Sequence, residues 1–342
     1  MDKTPFYSLS LDDQRNSLLV AAGFSGRPAH LLEKDVWVVR LLHALFATRF
    51  TDNLTFKGGT SLSKAYRAIR RFSEDIDITY DIRAIIPELV ADAGEAALPP
   101  TRSRERSWSR QIRRRLDSWV SDEVKPAIES ELLQAGLSTR LVSDGDKITV
   151  AYEPLFPDYG FVRAEVLLEF GARSTGEPRD QRIVECDASP FIPDVEFPSA
   201  RPWVMSVHRT FWEKATAIHV FCHQRRDWAQ RLSRHWNDVV RLDEAGYADK
   251  ALEDRAEALS VARHKQMFFR ERDTHGNWID YEDAVNGNLQ LVPEGNAYSA
   301  LRSDYERMVN DGILLDDGEG FDDLMNKCAE LEERANSFFP RA

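Results

Sequence analysis

Apolar and polar positions in residues 1–200 follow a mixed helix and strand pattern. Residues 31–46 are largely apolar and contain no glycine or proline, which predicts a buried helix. Apolar residues at helical spacing predict an amphipathic helix over 61–70. Alternation over 76–80 predicts a half-buried strand. Residues 105–136 predict a long helical segment that Pro126 should interrupt or restart. Further strands are predicted at 53–56, 147–152 and 161–170.

The pattern changes near residue 200, and the later periodic stretches are helical. Residues 171–202 are rich in glycine, proline and aspartate and show no clear period, which favours loops and a domain boundary. The predicted fold class is therefore α/β (α+β). A mixed β-sheet with flanking helices in residues 1–200 is followed by a mostly α-helical C-terminal domain in residues 201–342. Helices are predicted there at 206–224, 230–245, 249–270, 297–310 and 321–337.

The distribution of charge changes what the total charge implies. A net charge of −12, from 45 Lys and Arg against 57 Asp and Glu, argues against a nucleic-acid partner. However, residues 102–115 contain seven arginines and one glutamate, and most of the acidic excess lies in 303–334. The basic stretch predicts either a solvated helix face or a surface for a phosphate backbone. Trp108 within it either stacks on a base or packs in the core. The arginines of 225–241 form an alternative surface.

The cysteines and the hydropathy favour a cytoplasmic protein. Cys186, Cys222 and Cys328 are far apart and odd in number, which argues against a disulfide framework or a zinc site. No apolar run reaches the roughly 18 residues that a membrane span needs. The first residues also lack the basic and then apolar pattern of a signal peptide.

The segment 56–80, FKGGTSLSKAYRAIRRFSEDIDITY, carries the strongest candidate chemistry. A strand leads into Gly58 and Gly59 at a predicted helix start, where backbone N–H groups and the helix dipole favour a phosphate. Thr60 or Ser61 can cap this helix or contact a phosphate oxygen. A glycine loop or a pair of aspartates alone is usually structural. The two joined by one helix predict a site for a nucleotide and a metal.

Asp75 and Asp77 lie two residues apart on the next predicted strand, so both carboxylates project from one face. Carboxylates this close repel each other unless a cation lies between them. Mg²⁺ fits because it is a hard ion that binds oxygen ligands and substrate phosphates. A two-metal site normally takes a further carboxylate from another strand. Glu165 or Glu169, four residues apart and on one face of the predicted strand 161–170, can supply it.

Other charged residues allow two interpretations each. Lys64, one turn into the predicted helix, can reach a phosphate or face the solvent. The triplet Glu33, Lys34 and Asp35 can brace the site or form a solvated helix face. From spacing alone, Lys214 forms an ordinary solvated pair with its neighbour Glu213.

The order of these motifs resembles a known superfamily. GG[ST], a helix and two aspartates on the following strand resemble the nucleotidyltransferases that include DNA polymerase beta. The longer text FKGGTSLSKAY…RFSEDIDI resembles the AbiEii/AbiGii toxin family of nucleotidyltransferases. The resemblance covers about residues 31–337 and includes EKDVWVVRLLHALF at 33–46, VLLEFGARS at 166–174, FWEKATAIH at 211–219 and SRHWNDVVRL at 233–242.

This resemblance implies roles for individual residues. Asp75, Asp77 and Glu169 match the carboxylates that bind metal, which is Mg²⁺ or, in its place, Mn²⁺. Lys214 matches the lysine that holds the incoming triphosphate, and Asp238 matches a further acidic position of the site. The positions that match the nucleotide-binding loop and its surroundings are Gly58, Gly59, Thr60, Ser61, Lys64 and Ser73.

The resemblance also implies an activity and partners. The chain is expected to transfer an NMP from an NTP to an acceptor, the 3′ end of tRNA. It would act as the toxin of a toxin–antitoxin or abortive-infection system for phage defence, countered by a cognate antitoxin protein. Two alternatives stay open: a regulatory module of the same fold that binds NTP without turnover, and nucleotidylation of a protein or a small molecule. The intact carboxylates argue against the regulatory module.

Overall fold

The computed structural model describes residues 3–156, 163–224, 231–314 and 319–338. The chain divides into two compact units, and each combines separate segments. The first unit consists of Met1–Ala65, Ser73–Leu89 and Ser109–Met205, and the second of Tyr66–Phe72, Val90–Trp108 and Ser206–Ala342. The predicted division into residues 1–200 and 201–342 stays a prediction.

The described strands lie in the first unit, and seven of them form one mixed sheet. The strands are β1 (Thr4–Pro5), β2 (Leu54–Lys57), β3 (Ile76–Tyr80), β4 (Thr139–Asp144), β5 (Lys147–Tyr152), β6 (Glu165–Gly171), β7 (Arg179–Gln181), β8 (Val184–Glu185), β9 (Val195–Glu196), β10 (Ser199–Ala200) and β11 (Trp203–Met205). The order across the large sheet is β4-β5-β6-β3-β2-β11-β7. Strand β3 lies at its centre, antiparallel to β2 and parallel to β6.

Helices flank the sheet and make up the regular structure after residue 206. They are α1 (Leu11–Ser25), α2 (Ala29–Phe46), α3 (Gly58–Lys64), α4 (Ile82–Ile85), α5 (Pro87–Val90), α6 (Arg102–Trp119), α7 (Lys125–Gln134), α8 (Val207–Gln224), α9 (Arg234–Glu244), α10 (Tyr247–Glu253), α11 (Arg255–Phe268), α12 (Tyr281–Ala284), α13 (Asn296–Asn310) and α14 (Phe321–Phe338). The mixed sheet and the helical C-terminal region confirm the predicted fold class.

Most predicted elements appear within a few residues of their predicted bounds. The apolar stretch 31–46 forms α2, and alternation correctly predicts β3 and β5. Strand β6 begins at Glu165, later than the predicted start at 161. Residues 161 and 162 lie outside the described part of the chain.

The predicted helix over 61–70 is wrong in extent, because α3 ends at Lys64. Arg67 has φ 51°, a left-handed conformation that a helix excludes. The apolar residues expected on one helix face separate: Leu62 is buried in the first unit, whereas Tyr66 packs edge-on against Tyr247 of the second unit, with ring centroids 6.1 Å apart. Tertiary packing therefore overrides the helical spacing here.

Two long helical predictions are interrupted at positions with a local cause. Between α6 and α7 the chain makes a π-helical segment, Val120–Val124, and Pro126 lies in the first turn of α7, where its missing N–H costs no hydrogen bond. The predicted helix 249–270 divides at Asp254, whose carboxylate accepts the N–H of Glu257 at 3.0 Å. This side-chain cap begins a new helix.

Each unit has its own apolar core. In the second unit Trp212 and Trp236 are fully buried, and their indole N–H groups donate to the carbonyls of Ala251 and Leu291 at 2.9 and 2.6 Å. Burial of both rings therefore leaves neither donor unsatisfied. None of the described helices combines the length and the apolar character needed to cross a membrane.

Candidate functional site

The sheet register places two of the predicted carboxylates next to each other. Asp77 on β3 is the direct partner of Glu169 on the parallel strand β6, and both side chains lie on the half-buried face of the sheet. Asp75 immediately precedes β3, two residues before Asp77. Glu165 pairs with Ala151 on β5 instead, four residues from Glu169. Between the two predicted alternatives, the register brings Glu169 next to Asp77.

Glu169 also has a basic partner that the sequence did not reveal. Lys147, opposite Glu169 on the antiparallel strand β5, forms an ion pair with it, and the hydrogen bond from this pair raises the pKa of Lys147. Both side chains are more than one third exposed, so the pair is screened by solvent and is easily exchanged for another partner. Only the pairing of strands could have identified Lys147, which lies 22 residues from Glu169 along the chain.

The donor chemistry of this face fits Mg²⁺. One or two carboxylates together with substrate phosphates are the usual ligands of that ion, and Asp77 and Glu169 offer carboxylate oxygens at paired positions of adjacent strands. Within the described residues no group of three His, Cys, Asp or Glu side chains is already gathered to hold a metal.

Gly58 makes room for Asp77. It has φ +80°, and a Cβ on Gly58 would overlap the carboxylate oxygen of Asp77 and lie 2.9 Å from its carboxyl carbon. Both the left-handed backbone and the close approach require glycine at this position. From the sequence, glycine at this position is expected to let the backbone approach a phosphate. The structure gives a second reason for glycine here, because the carboxylate of Asp77 packs directly on it.

Two hydroxyl groups, those of Thr60 and Ser73, connect the glycine loop to the segment of the aspartates, and that of Ser61 bonds within the loop. The Thr60 hydroxyl lies 2.5 Å from the Asp75 carbonyl oxygen, to which it donates, and 2.8 Å from the Ser73 hydroxyl. Ser61 donates to the carbonyl of Gly58 at 2.9 Å. Thr60 and Ser61 are buried, and neither caps α3, which begins after Lys57 without a side-chain cap. Their hydroxyls thus fix the backbone on which the phosphate site is predicted.

The triplet on α2 braces the site and is not a solvated face. Glu33, Lys34 and Asp35 are all buried. Lys34 forms an ion pair with Glu74, the residue before Asp75, and also donates to the carbonyl of Arg163 at 3.3 Å. Helix α2 is therefore tied to the start of the aspartate strand.

Lys64 connects α2 to the end of α3. It is buried, so the solvent-facing interpretation is wrong, and its ammonium contacts Asp35 at 2.5 Å and Asp187 at 2.7 Å. The backbone N–H of Asp187 also donates to Asp35 at 2.6 Å. These contacts hold the helix that follows the glycine loop, while the predicted contact of Lys64 with a phosphate stays a prediction.

The pKa of Glu33 reports the burial of its carboxyl group in this cluster. Burial raises its pKa to about 7, although the N–H of Leu155 donates to its carboxylate at 2.7 Å and lowers it. Because the folded-state pKa lies above the ordinary 4.5, the associated stability is present below pH 4.5 and is lost as the pH rises through about 7. Replacing Glu33 with glutamine keeps an acceptor for Leu155 and removes the charge.

We expect Glu33→Gln to stabilise the chain increasingly between pH 5 and pH 8, by on the order of 2 kcal/mol at the upper end. Urea unfolding at several pH values measures the difference. Glu95→Gln, at an exposed position, is the matched control and should show little change. A gain that is the same at pH 5 and at pH 8 would contradict a buried, protonated Glu33.

The second unit holds the other two predicted site residues in one buried cluster. Asp238 on α9 is fully buried, and Arg71 donates to both of its oxygens at 2.7 and 2.8 Å. Lys214 on α8 contacts the same carboxylate at 2.9 Å. Lys214 is therefore buried and paired with Asp238, and the solvated pair expected from its spacing to Glu213 is wrong.

Arg71 is the residue of this cluster that sequence reasoning missed. It belongs to the RR pair of RAIRRFSED, two residues before Ser73, and this charged pair next to the motif was the available signal. Burial alone would raise the pKa of Asp238, but the charges and hydrogen bonds of Arg71 and Lys214 hold that pKa well below its ordinary range. The carboxylate is thus ionised at neutral pH.

The predicted basic surfaces have different outcomes. Trp108 is 2% exposed and packs in the core, so the prediction that it stacks on a base is wrong. Arg110, Arg113 and Arg114 are exposed, and their contact with a phosphate backbone stays a prediction. Residues 225–230 of the alternative basic surface lie outside the described part of the chain.

The family whose sequence profile matches the chain agrees with the motif pattern. The profile of a family described as nucleotidyl transferase AbiEii toxin, type IV TA system, matches residues 40–327. No curated protein sequence matches the chain significantly. Among solved structures, the fold is similar to MenT4, a nucleotidyltransferase toxin from Mycobacterium tuberculosis, with 18% identity, a TM-score of 0.41 and coverage of 95% of this chain and 99% of that one. The corresponding values for JHP933 from Helicobacter pylori are 12%, 0.40, 90% and 92%.

Proposed function

The chain belongs to the AbiEii family of nucleotidyltransferases, the toxins of type IV toxin–antitoxin systems, and from this premise we propose that it transfers an NMP from an NTP to the 3′ end of tRNA. The observation that carries the proposal is the register of β3 and β6, which brings Glu169 next to Asp77. In this reaction the 3′-hydroxyl loses its proton to water, and its oxygen forms a bond to the α-phosphorus. The bond from the α-phosphorus to the bridging oxygen of the β-phosphate breaks, and pyrophosphate leaves with that electron pair.

Each part of this reaction is proposed to depend on a different group of residues. Asp75, Asp77 and Glu169 would hold Mg²⁺ or Mn²⁺, which would supply positive charge that offsets the negative charge of the reacting phosphates. The backbone N–H groups of the loop that begins at Gly58 and Gly59 hold the phosphates. Ser73 contacts the triphosphate beside this loop.

Lys214 supplies a compact positive charge for the triphosphate. In the structure this ammonium is paired with Asp238, and Arg71 holds the other side of the same carboxylate. Asp238 therefore positions the lysine. The toxin role implies a cognate antitoxin protein as partner. We also propose that the chain acts in the cytoplasm, in phage defence through abortive infection.

Label transfer from radioactive NTPs tests the function directly. The full chain with Mg²⁺ and total tRNA should label the 3′ end from at least one of the four NTPs, and Asp77→Asn should transfer less by a factor of roughly 1,000 or more. Absence of label from all four NTPs, or equal transfer by Asp77→Asn, would refute the mechanism. Binding of Mg-NTP in calorimetry without product on any RNA would favour the regulatory module, and label on protein or on a small molecule would change the acceptor.

A further inference from the structure

An exposed cationic cluster on the second unit contains none of the residues assigned to the proposed reaction. Trp278 is 45% exposed, and the guanidinium carbons of Arg270 and Arg272 lie 4.0 and 3.8 Å from its ring centroid. Arg102, at the start of α6, donates to the carbonyl of Met267 just before them. We call Arg102, Arg270, Arg272 and Trp278 the Trp278 surface.

A tight turn fixes the geometry of this surface. Arg272 and Trp278 face each other across an antiparallel bridge, and Asp273 accepts the N–H groups of His275 and Asn277, each at 2.8 Å. The indole and the guanidinium on it are therefore held by the backbone. Because these side chains are already ordered in the folded chain, binding of a ligand would lose little further conformational entropy.

The charge of this surface is only partly compensated by carboxylates. In the described part of the chain no carboxylate pairs with Arg270 or Arg272, and Nε of Arg270 is covered without a hydrogen-bond partner. Arg102 has Glu105 at 3.6 Å, while Glu271 accepts from Gln224 at 2.8 Å. Burial, together with the positive charges of Arg102 and Arg272, lowers the pKa of Arg270. Such mutual repulsion is relieved by an anionic ligand.

The side chains present fit one kind of anion best. Planar guanidinium groups on an indole bind phosphates in a bidentate manner and also stack on unpaired bases. Exposed Phe269, next to Arg270, adds an aromatic side chain, and the exposed Arg104 and Arg106 extend the charge along α6. An acidic protein offers carboxylates for the guanidinium groups but no bases that stack on the aromatic side chains, so it fits this surface less well than a nucleic acid does.

We propose that the Trp278 surface binds the single-stranded part of an RNA acceptor. The inference rests on the proposed transfer to RNA and adds to it the place where the acceptor is held. The surface also joins the start of the basic stretch 102–115 to residues 270–278. The sequence did not indicate this connection, because the two segments lie far apart along the chain.

Fluorescence anisotropy with a labelled single-stranded RNA of about 12 nucleotides, without NTP, tests this surface. Arg270→Gln/Arg272→Gln should weaken binding at least roughly tenfold and reduce the slope of log Kd against log salt by about 1.4 units, at 0.7 per lost phosphate contact. Trp278→Ala should weaken binding roughly tenfold. Arg270→Lys/Arg272→Lys should restore the salt slope but not the affinity, since lysine does not stack. The matched control is Arg263→Gln, an exposed arginine of α11 with a carboxylate partner at 3.6 Å.

The outcomes separate this inference from the proposed function. Wild-type affinity of the double glutamine variant, or equal binding of duplex RNA, would overturn the stacking surface. Displacement of the RNA by polyglutamate of equal charge would indicate a site for an acidic protein and would also overturn it. If RNA binds as expected but no NMP is transferred, the surface stands and the proposed activity fails. If transfer occurs with an unchanged KM for RNA in the double variant, the activity stands and the surface fails.

Discussion

Alanine at Gly58 is expected to lower NMP transfer by about 100-fold or more while the chain stays folded, because a catalytic group displaced by about 1 Å loses activity on that scale. The added Cβ would occupy the position of the Asp77 carboxylate oxygen. Asp77 would have to move away from the face it shares with Glu169. Label transfer measures the loss, and thermal unfolding measures the accompanying strain, about 1 kcal/mol for alanine at positive φ.

Gly145→Ala is the matched control for this change. Gly145 lies in the turn between β4 and β5, has φ +58°, and offers open space where its Cβ would lie. It therefore carries the same backbone strain without any contact to a carboxylate. We expect Gly58→Ala to lose at least as much stability as Gly145→Ala, and only Gly58→Ala to lose transfer. Activity of Gly58→Ala within a few-fold of Gly145→Ala would show that Asp77 is not positioned by this glycine.

Asparagine at Asp238 is expected to destabilise the second unit by about 3–5 kcal/mol, the usual cost of removing one partner from a buried ion pair. Arg71 and Lys214 would both stay buried without their shared carboxylate. Because the folded-state pKa of Asp238 is depressed, this stability is present above the ordinary pKa of 3.8 and is lost as the pH falls through the lower folded value. The difference between the wild-type chain and Asp238→Asn should therefore be full at pH 7 and shrink in acid.

Urea unfolding at pH 7 measures this difference, with Asp322→Asn as the matched control. Asp322 also pairs with an arginine, Arg302, but its side chain is 68% exposed and screened by solvent, so its replacement should change stability little. A cost for Asp238→Asn no larger than that of the control would mean that the buried cluster does not stabilise the fold. Loss of transfer without loss of stability would instead assign Asp238 to the chemistry alone.

The local elements of this protein follow from spacing, and one failure shows the limit of that method. Alternation in IDITY and the apolar run of α2 correctly predict β3 and a buried helix. The spacing of Leu62, Tyr66 and Ile69 equally predicts one helix, yet α3 ends at Lys64. Apolar spacing indicates which side chains are buried, but it does not indicate whether they pack against the same part of the protein.

Candidate site residues show the same division between local and distant information. The motif identifies Asp75 and Asp77, but it cannot choose between Glu165 and Glu169, since both lie on one face of the same strand. Similarly, the triplet on α2 and Lys64 read as solvated or functional with equal ease. Their burial and their partners depend on segments more than 25 residues away, such as Lys64 with Asp35 and Lys34 with Glu74.

Sequence by itself determined the fold class, the strand–glycine loop–helix–strand motif and the choice of Asp75 and Asp77 as candidate metal ligands, because these depend on hydrophobic period and on neighbours in the chain. Tertiary structure alone decided that Glu169 lies next to Asp77, that Gly58 leaves room for that carboxylate, and that Arg71 and Lys214 share Asp238. These contacts join residues distant in sequence, and their energies depend on burial and register, which no local pattern encodes.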